Sequence, residues 1–552
     1  MLSLALTASL GGGAPIARVD TLRYTFQYRA SDDGTPTLAV ELRFRADPSG
    51  RTRVVIPSAW AGETGLANQI TQIQAGPNVT TTPVQGDEET LISRPRAEIH
   101  LSYLVHQDWS GLLRYSEFHR VILDRSRVAF NQSNALVYPE HGPESTVVLQ
   151  VQWAGLPDDW RIVSSFGSKA WFSAAVSWRE FSAAFFAAGD FRLVAPASMT
   201  GGVTIAAQGR WPFGDADFTQ IVGALWRAET KFWRRQAFGS AFVLLLPIDD
   251  AGTVAGTAFT GGFFAVSDTA ADLKPLGRLL AHELFHLWNG QRMTAAANEV
   301  QYKWFTEGFT DYYADRIFHD IGQYSDADYR GRVNAVLRRY YASPARHSTR
   351  ETVAEQYWSN DDVKQYPYTQ GYALALYLQT NLPAWTGSSF DLDSLMLRAY
   401  AATAPAGVDI SDRLLTDAVP QAGRVAFANA LAEYIDRGTM VPVEPEALGA
   451  CSTARTQAVY TFDLGFDADA SRQSRVVSGV RPGGPAAAAG VSDGMRLVGW
   501  SWDGDPSTRA ILQVDDGRGL RQLTYFPHDN NVFIVPQYEA VPRAPGCSVL
   551  GG

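Results

Sequence analysis

The chain has 552 residues, of which 46% are hydrophobic and 19% charged, and its net charge is −10. That much apolar material predicts three or four cored domains and excludes wholesale disorder. The acidic balance disfavours nucleic acid and anionic membranes as partners, and no apolar run approaches the roughly 20 residues of a membrane span. The sequence holds no P-loop, no G-x-G-x-x-G turn and no G-x-S-x-G elbow; Gly499-Trp-Ser-Trp-Asp503 fails at its last position.

Taken in chain order, residues 1–17 combine the apolar run Met1–Leu10 with Gly-Gly-Gly-Ala-Pro-Ile-Ala17. This is either a secretion signal cut near Ala17 or a frayed tail; no basic residue precedes the run. Residues 18–165 are strand-rich. Thr21–Tyr28, Leu38–Arg45 and Val147–Trp153 alternate apolar and polar side chains, which predicts an N-terminal β-sandwich. From 166 to 320 strands mix with helices, and Ala241-Phe-Val-Leu-Leu-Leu-Pro247 has the continuous apolar character of a buried strand. Helical periodicity dominates 321–445. Glu444–Ala450 has the composition of a linker to a final β-rich domain at 451–547.

The chemistry concentrates in Leu276-Gly-Arg-Leu-Leu-Ala-His-Glu-Leu-Phe-His-Leu-Trp-Asn289. On a helix His282 and His286 lie four apart on one face and can grip one metal ion. Glu283 stands where it can polarise a water on that metal. Asn289-Gly290 is a plausible helix stop. A catalytic zinc wants three protein ligands and one open position. Glu307, in a second helical pattern within Lys303–Asp315, is the candidate third ligand, and Asp311, one turn on, can accept a hydrogen bond from a ligand histidine. Arg316 and the aromatics around Trp304 are assigned to the fold.

His282-Glu-Leu-Phe-His-Leu-Trp-Asn289 followed by Trp304-Phe-Thr-Glu-Gly-Phe-Thr-Asp-Tyr-Tyr313 resembles the glycyl aminopeptidase family, PDZ-containing relatives of the thermolysin-like aminopeptidases. Val137-Tyr-Pro139 with Leu156-Pro-Asp-Asp-Trp160, Tyr368-Thr-Gln-Gly371 and Asp391-Leu-Asp-Ser-Leu-Met396 extend the resemblance over most of the chain. It implies one Zn2+ per chain, a peptide substrate, and Tyr368 as hydrogen-bond donor to the oxyanion. Composition alone does not choose among Tyr366, Tyr368 and Tyr372; the Tyr-x-x-Gly register does.

The sequence departs from that family at Thr260-Gly-Gly-Phe-Phe-Ala-Val-Ser267. There Gly261 and Gly262 match the substrate-binding strand, but Phe264 stands where a glutamate would hold the substrate's amino terminus. A phenyl ring cannot pair with an ammonium. An extended edge could still take a peptide backbone by β-addition, and Asp268 or Asp272 could replace the missing charge or simply cap the helix before Pro275.

Further on, Asp463-Leu-Gly-Phe-Asp467 and Val480-Arg-Pro-Gly-Gly-Pro-Ala-Ala-Ala-Ala-Gly-Val-Ser-Asp-Gly-Met495 resemble a PDZ domain, with Leu464, Gly465 and Phe466 as the loop that would hold a peptide C-terminus. Such domains also serve merely as packing partners. The two cysteines, Cys451 and Cys547, bracket this domain. Bonded, they would close a loop of about a hundred residues, worth ~4 kcal/mol by chain entropy; free thiols are the alternative. A bond would agree with a periplasmic or secreted location.

The expected architecture is therefore multidomain α+β: an N-terminal β-sandwich, a thermolysin-like zinc peptidase domain, an α-helical domain and a C-terminal PDZ-like β domain. The expected activity is zinc-dependent peptide hydrolysis, first as an aminopeptidase. The alternatives are an endopeptidase or oligopeptidase without an amine anchor, and a PDZ-centred binding protein with a vestigial metal site.

Overall fold

The computed structural model describes residues 20–541 except 31–33, 83–85, 143–144, 196–201, 240, 251, 296–297, 404–407 and 503. The signal-like segment 1–17 and Cys547 lie outside the described residues. Two compact units emerge, one comprising residues up to 110 together with 119–190, the other 111–118 together with 191 onward.

In the first unit β1 (Asp20–Ala30), β2 (Pro36–Arg45), β3 (Ile70–Ala75), β4 (Glu98–Val105), β5 (Thr146–Ala154) and β6 (Trp171–Ser177) form one sheet in the order β6-β5-β1-β2-β4-β3. Alternation decides which face is inside: Leu38, Val40, Leu42 and Phe44 of β2 are buried while Glu41, Arg43 and Arg45 face out. Two four-stranded sheets accompany it. This unit runs past residue 165, the boundary expected from the sequence. Trp171–Ser177 pairs with β5, and Phe185–Gly189 pairs with both Arg127–Asn131 and Arg161–Ser164. The small residues Ser173, Ala174 and Ala175 gave β6 too little apolar contrast to mark it as a strand.

The second unit opens with β7 (Arg192–Ala195), β8 (Val203–Ala207), β9 (Ala241–Ile248), β10 (Val254–Phe259) and β11 (Gly262–Asp268), in the order β7-β8-β9-β11-β10. Central β9 is buried on both faces from Ala241 to Leu246, which explains its unbroken apolar run. Helices α1 (Asp215–Trp233), α2 (Leu273–Phe285), α3 (Thr310–Asp320), α4 (Asp326–Ala342) and α5 (Asp361–Thr386) follow. At Gly277 a Cβ would come within 2.3 Å of Ile221 Cδ1, so a glycine lets α2 settle against α1.

A tighter contact joins α5 to the π-helical turn Trp304–Phe309 that leads into α3. A Cβ on Gly371 would lie 1.8 Å from the Trp304 carbonyl oxygen, and one on Gly308 would lie 2.5 Å from Gly371 Cα. The two segments meet backbone to backbone. Residues one position before Gly308 and three before Gly371, namely Glu307 and Tyr368, are thereby fixed beside each other.

The C-terminal module pairs β12 (Ser452–Phe462) with β16 (His528–Ala540) and forms a separate sheet of β13 (Arg496–Ser501), β14 (Ala510–Asp515) and β15 (Leu520–Tyr525). It keeps a small core of its own, including Leu464, Phe466, Leu497 and Leu512. It is also bolted to α4. Arg338 forks onto the fully buried Asp505 at 2.7–3.0 Å, and Asn334 both donates to and accepts from the Tyr538 backbone at 2.8 and 2.7 Å. No helix among the described residues is long and apolar enough to cross a membrane.

Because the Gly371 contact is backbone on backbone, no rotamer can relieve an added methyl. Gly371→Ala should cost about 3 kcal/mol or more in a urea melt, whereas alanine at exposed Gly331, which has open space around its Cα, should shift stability by about 1 kcal/mol at most.

Candidate metal centre

Helix α2 carries a buried face of Leu276, Leu280, Ala281, Leu284 and Phe285, which forces His282 and Glu283 inward with it. The helix ends sooner than the sequence suggested. His286 is already its C-terminal cap residue, and the chain then turns. Asn289, expected as a stop signal, is fully buried and does more than end the helix. Its carbonyl accepts from His286 Nδ1 at 2.9 Å, and its side-chain amide donates to Phe305 O at 3.0 Å and Thr310 Oγ1 at 3.1 Å. The same residue therefore orients one imidazole and ties it to the π-turn that carries Glu307.

His282 Nδ1 meets Asp311 Oδ1 at 2.9 Å. With both Nδ1 atoms donating outward, the two Nε2 atoms carry lone pairs, yet they face each other at 2.9 Å. Glu307 Oε2 completes the triangle, 3.1 Å from His286 Nε2 and 3.4 Å from His282 Nε2. Acceptors this close need a proton or a metal cation among them. Donors on a tetrahedral zinc, each about 2.0–2.1 Å from it, lie roughly 3.3 Å apart, so the set fits zinc. It is the one His/Cys/Asp/Glu group among the described residues with metal-binding spacing.

Behind His282 runs a buried chain of charges. Arg278 donates to Asp311 at 2.5 Å and to Asp315 at 2.8 Å, and Arg332 closes on the other Asp315 oxygen at 3.0 Å. Burial alone would raise the Asp311 pKa, but Arg278 and His282 outweigh it and hold the carboxylate ionised far below its usual range. Burial would likewise lower His282, whereas Asp311 and Glu307 lift it to about 10 in the metal-free arrangement. Protons therefore compete with metal for this nitrogen. Burial raises the Glu283 pKa above the ordinary glutamate value, against the pull of the two histidines.

The Tyr368 ring stacks on His282 with centroids 6.4 Å apart. Burial, then the Glu307 charge, push its phenol well above the usual pKa, so it keeps its proton. Tyr366 instead donates to Arg346 O, and Tyr372 packs edge-on against Tyr312.

Residues 276–379 match the family model of the M61 glycyl aminopeptidases. Over this stretch the chain is similar to a glycyl aminopeptidase domain. No curated protein matches the chain. Among solved structures, an aminopeptidase N family protein from Idiomarina loihiensis is 14% identical with a TM-score of 0.67, covering 94% of this chain and 98% of that one. An M1 zinc metallopeptidase from Deinococcus radiodurans is 15% identical with a TM-score of 0.52, over 77% and 96%. A mutant of the Deinococcus enzyme with a bound Tyr-Ser-Ala substrate is 16% identical with a TM-score of 0.50, over 77% and 96%. At these identities the likeness is one of fold, a multidomain mixed α/β chain.

The other residues expected at the site make contacts of their own. The Gly262 strand β11 is not an edge: β10 flanks it, so β-addition there would need β10 displaced. Gly261, at φ 68°, makes the β10–β11 turn, and Gly262 leaves room for the Phe242 ring, 2.1 Å from where its Cβ would stand. Phe264 is buried and packs on Phe118 at 5.7 Å. Asp268 is spent on the Gly252 and Ala270 amides, and Asp272 occupies the α2 N-cap position without a capping bond. In the module Leu464 and Phe466 point into the core, and the Gly465 N–H is taken by Asp463 Oδ1 at 2.8 Å, with Arg481 paired to that same oxygen. Arg316 forks onto Asp393 at 2.6 and 2.7 Å and so belongs to the fold. Cys451 is disulfide-bonded.

Sequence reasoning overlooked Arg278, Lys303 and Asp315. Each lay in plain helical spacing: four before His282, four before Glu307 and four after Asp311.

Asp311→Asn should weaken zinc binding about 10–100-fold in a chelator competition, because a neutral amide oxygen accepts the Nδ1 proton of His282 more weakly and leaves Arg278 without its charge partner. Since His282 titrates high when metal-free, zinc affinity of the wild type should rise steeply from pH 6 to pH 8.

Proposed function

We propose that the protein is a zinc-dependent peptidase that acts first as an aminopeptidase on short peptides, with zinc held by His282, His286 and Glu307. The observation that carries the reading is the facing pair of Nε2 lone pairs closed by Glu307, with Glu283 buried alongside and the Tyr368 ring stacked on His282. Bound zinc would supply the Lewis acid that polarises the scissile carbonyl and the attacking water. Glu283 takes the proton of that water and delivers it to the leaving nitrogen; its raised pKa brings it nearer to working pH as a base. The phenol of Tyr368 donates to the oxygen on which negative charge develops.

A cleft of about 570 Å³ leads from Asp311 and Tyr368 past the start of α5 to Leu464, Phe466 and Trp502 of the module. Its far wall is fixed by the Arg338–Asp505 fork and the Asn334–Tyr538 pair. The cleft meets the metal centre through Asp311 and Tyr368 rather than through the ligands themselves, so a short peptide lying in it would have only one end near the zinc. The peptide-bound Deinococcus relative is consistent with such a substrate. A second reading, an endo- or oligopeptidase, is favoured by Phe264, which offers no carboxylate for a free amine. Capture of a peptide C-terminus by the PDZ-like module is less supported, because Asp463 already occupies the Gly465 amide. The Cys451 disulfide supports an oxidising compartment, periplasmic or extracellular.

Hydrolysis of a matched peptide pair, free and N-acetylated, tests the mode, with Glu283→Gln as the inactive blank. Cleavage of the free peptide alone supports the aminopeptidase; equal cleavage of both supports the endopeptidase. Cleavage of neither by a zinc-loaded wild type would reject both. Tyr368→Phe should lower kcat about 100-fold with KM little changed.

A further inference from the structure

We propose that Lys303 is a positioning residue of the metal centre, clamping the outer oxygen of Glu307 so that the carboxylate offers the metal one oxygen only. This rests on the zinc reading above. The two oxygens of Glu307 face different ways. Oε2 points at the histidine pair, while Oε1 accepts from Lys303 Nζ at 3.0 Å. Lys303 is itself held, with Nζ 2.8 Å from Glu299 Oε1, four residues earlier.

A surface Lys–Glu pair at this spacing would be a weak contact screened by solvent. This pair is different in two respects. Both side chains are largely withdrawn from solvent, Lys303 at 13% exposure and Glu307 at 10%. Burying an ammonium beside a metal site is unfavourable unless it makes bonds that nothing else can make. Lys303 also stands at the junction where the 3-10 turn Val300–Tyr302 passes into the π-turn that carries Glu307, so its backbone and its side chain constrain the same ligand.

An unrestrained carboxylate can swing from one-oxygen to two-oxygen ligation and take up the coordination position that a catalytic zinc must leave open. With Oε1 bonded to Lys303, that swing would break a buried ion pair. The lysine thus acts through Glu307 and need not touch substrate.

The test compares wild type, Lys303→Met and Lys303→Arg as full-length proteins. Zinc affinity is read by competition with a chromophoric chelator, coordination by the visible spectrum of the cobalt-loaded form, and folding by the urea midpoint of chelator-treated protein. Lys303→Met should bind zinc about 10–100-fold more weakly and give a paler cobalt spectrum, as two-oxygen ligation raises the coordination number. Lys303→Arg should restore both, with metal-free midpoints alike in all three. Zinc binding by Lys303→Met as tight as wild type or tighter, with an unchanged cobalt spectrum, would overturn the proposal. So would a loss of zinc matched by an equal loss of metal-free stability that arginine does not rescue. A wild type that binds no zinc would sink the peptidase reading itself, which separates the two failures.

Discussion

Two imidazole nitrogens, each with its proton committed to the far side of the ring, face each other at 2.9 Å with a carboxylate oxygen against both. Such a set of facing acceptors is electrostatically unfavourable until a cation enters it, either a metal ion or, in its absence, the proton that His282 holds. The rest of the catalytic half is built to impose it. Asp311 and the Asn289 carbonyl draw the Nδ1 protons outward. The backbone contact at Gly308 and Gly371 fixes the depth at which Glu307 and Tyr368 stand. A π-turn at Trp304–Phe309 supplies the extra residue that aims Glu307 at the histidines.

The charges behind the ligands balance in pairs. Asp311 and Asp315 are met by Arg278 and Arg332, and Glu307 by Lys303. Each buried ion has a partner, as its desolvation requires. Glu283 lacks a cationic partner of this kind, and burial leaves it the carboxylate of the site whose pKa is raised rather than lowered. The same framework that holds Asp311 and Glu307 ionised leaves Glu283 able to exchange a proton. Separation of roles among chemically similar side chains follows from which of them the arginines and lysine can reach.

What could be read from the sequence was what depends on local spacing. The i, i+4 histidines, the glutamate beside them and the carboxylate one turn past Glu307 are properties of a helix face, and no tertiary knowledge is needed to align them. Arg278, Lys303 and Asp315 had the same local spacing and were legible in principle. The features that local spacing did not reveal are those set by distant strands. That β10 flanks β11, that Gly262 serves the Phe242 ring and that the first unit extends to Asp190 are facts of sheet order and cross-strand packing. Asn289 had the composition of a helix stop, and only the approach of Phe305 and Thr310 gives its side chain a second task.

The C-terminal module is held as a fixed surface rather than an open cradle. A loop that could offer backbone amides to a carboxylate has one of them filled by its own Asp463, and Arg481 neutralises that carboxylate in place. Leu464 and Phe466 are committed to the module core. Meanwhile the Arg338–Asp505 fork and the β12–β16 ribbon tie the module to the helical half of the same compact unit. A receptor for chain ends needs an open cradle, whereas a cleft needs a surface that does not move. The residues at this junction satisfy the second requirement.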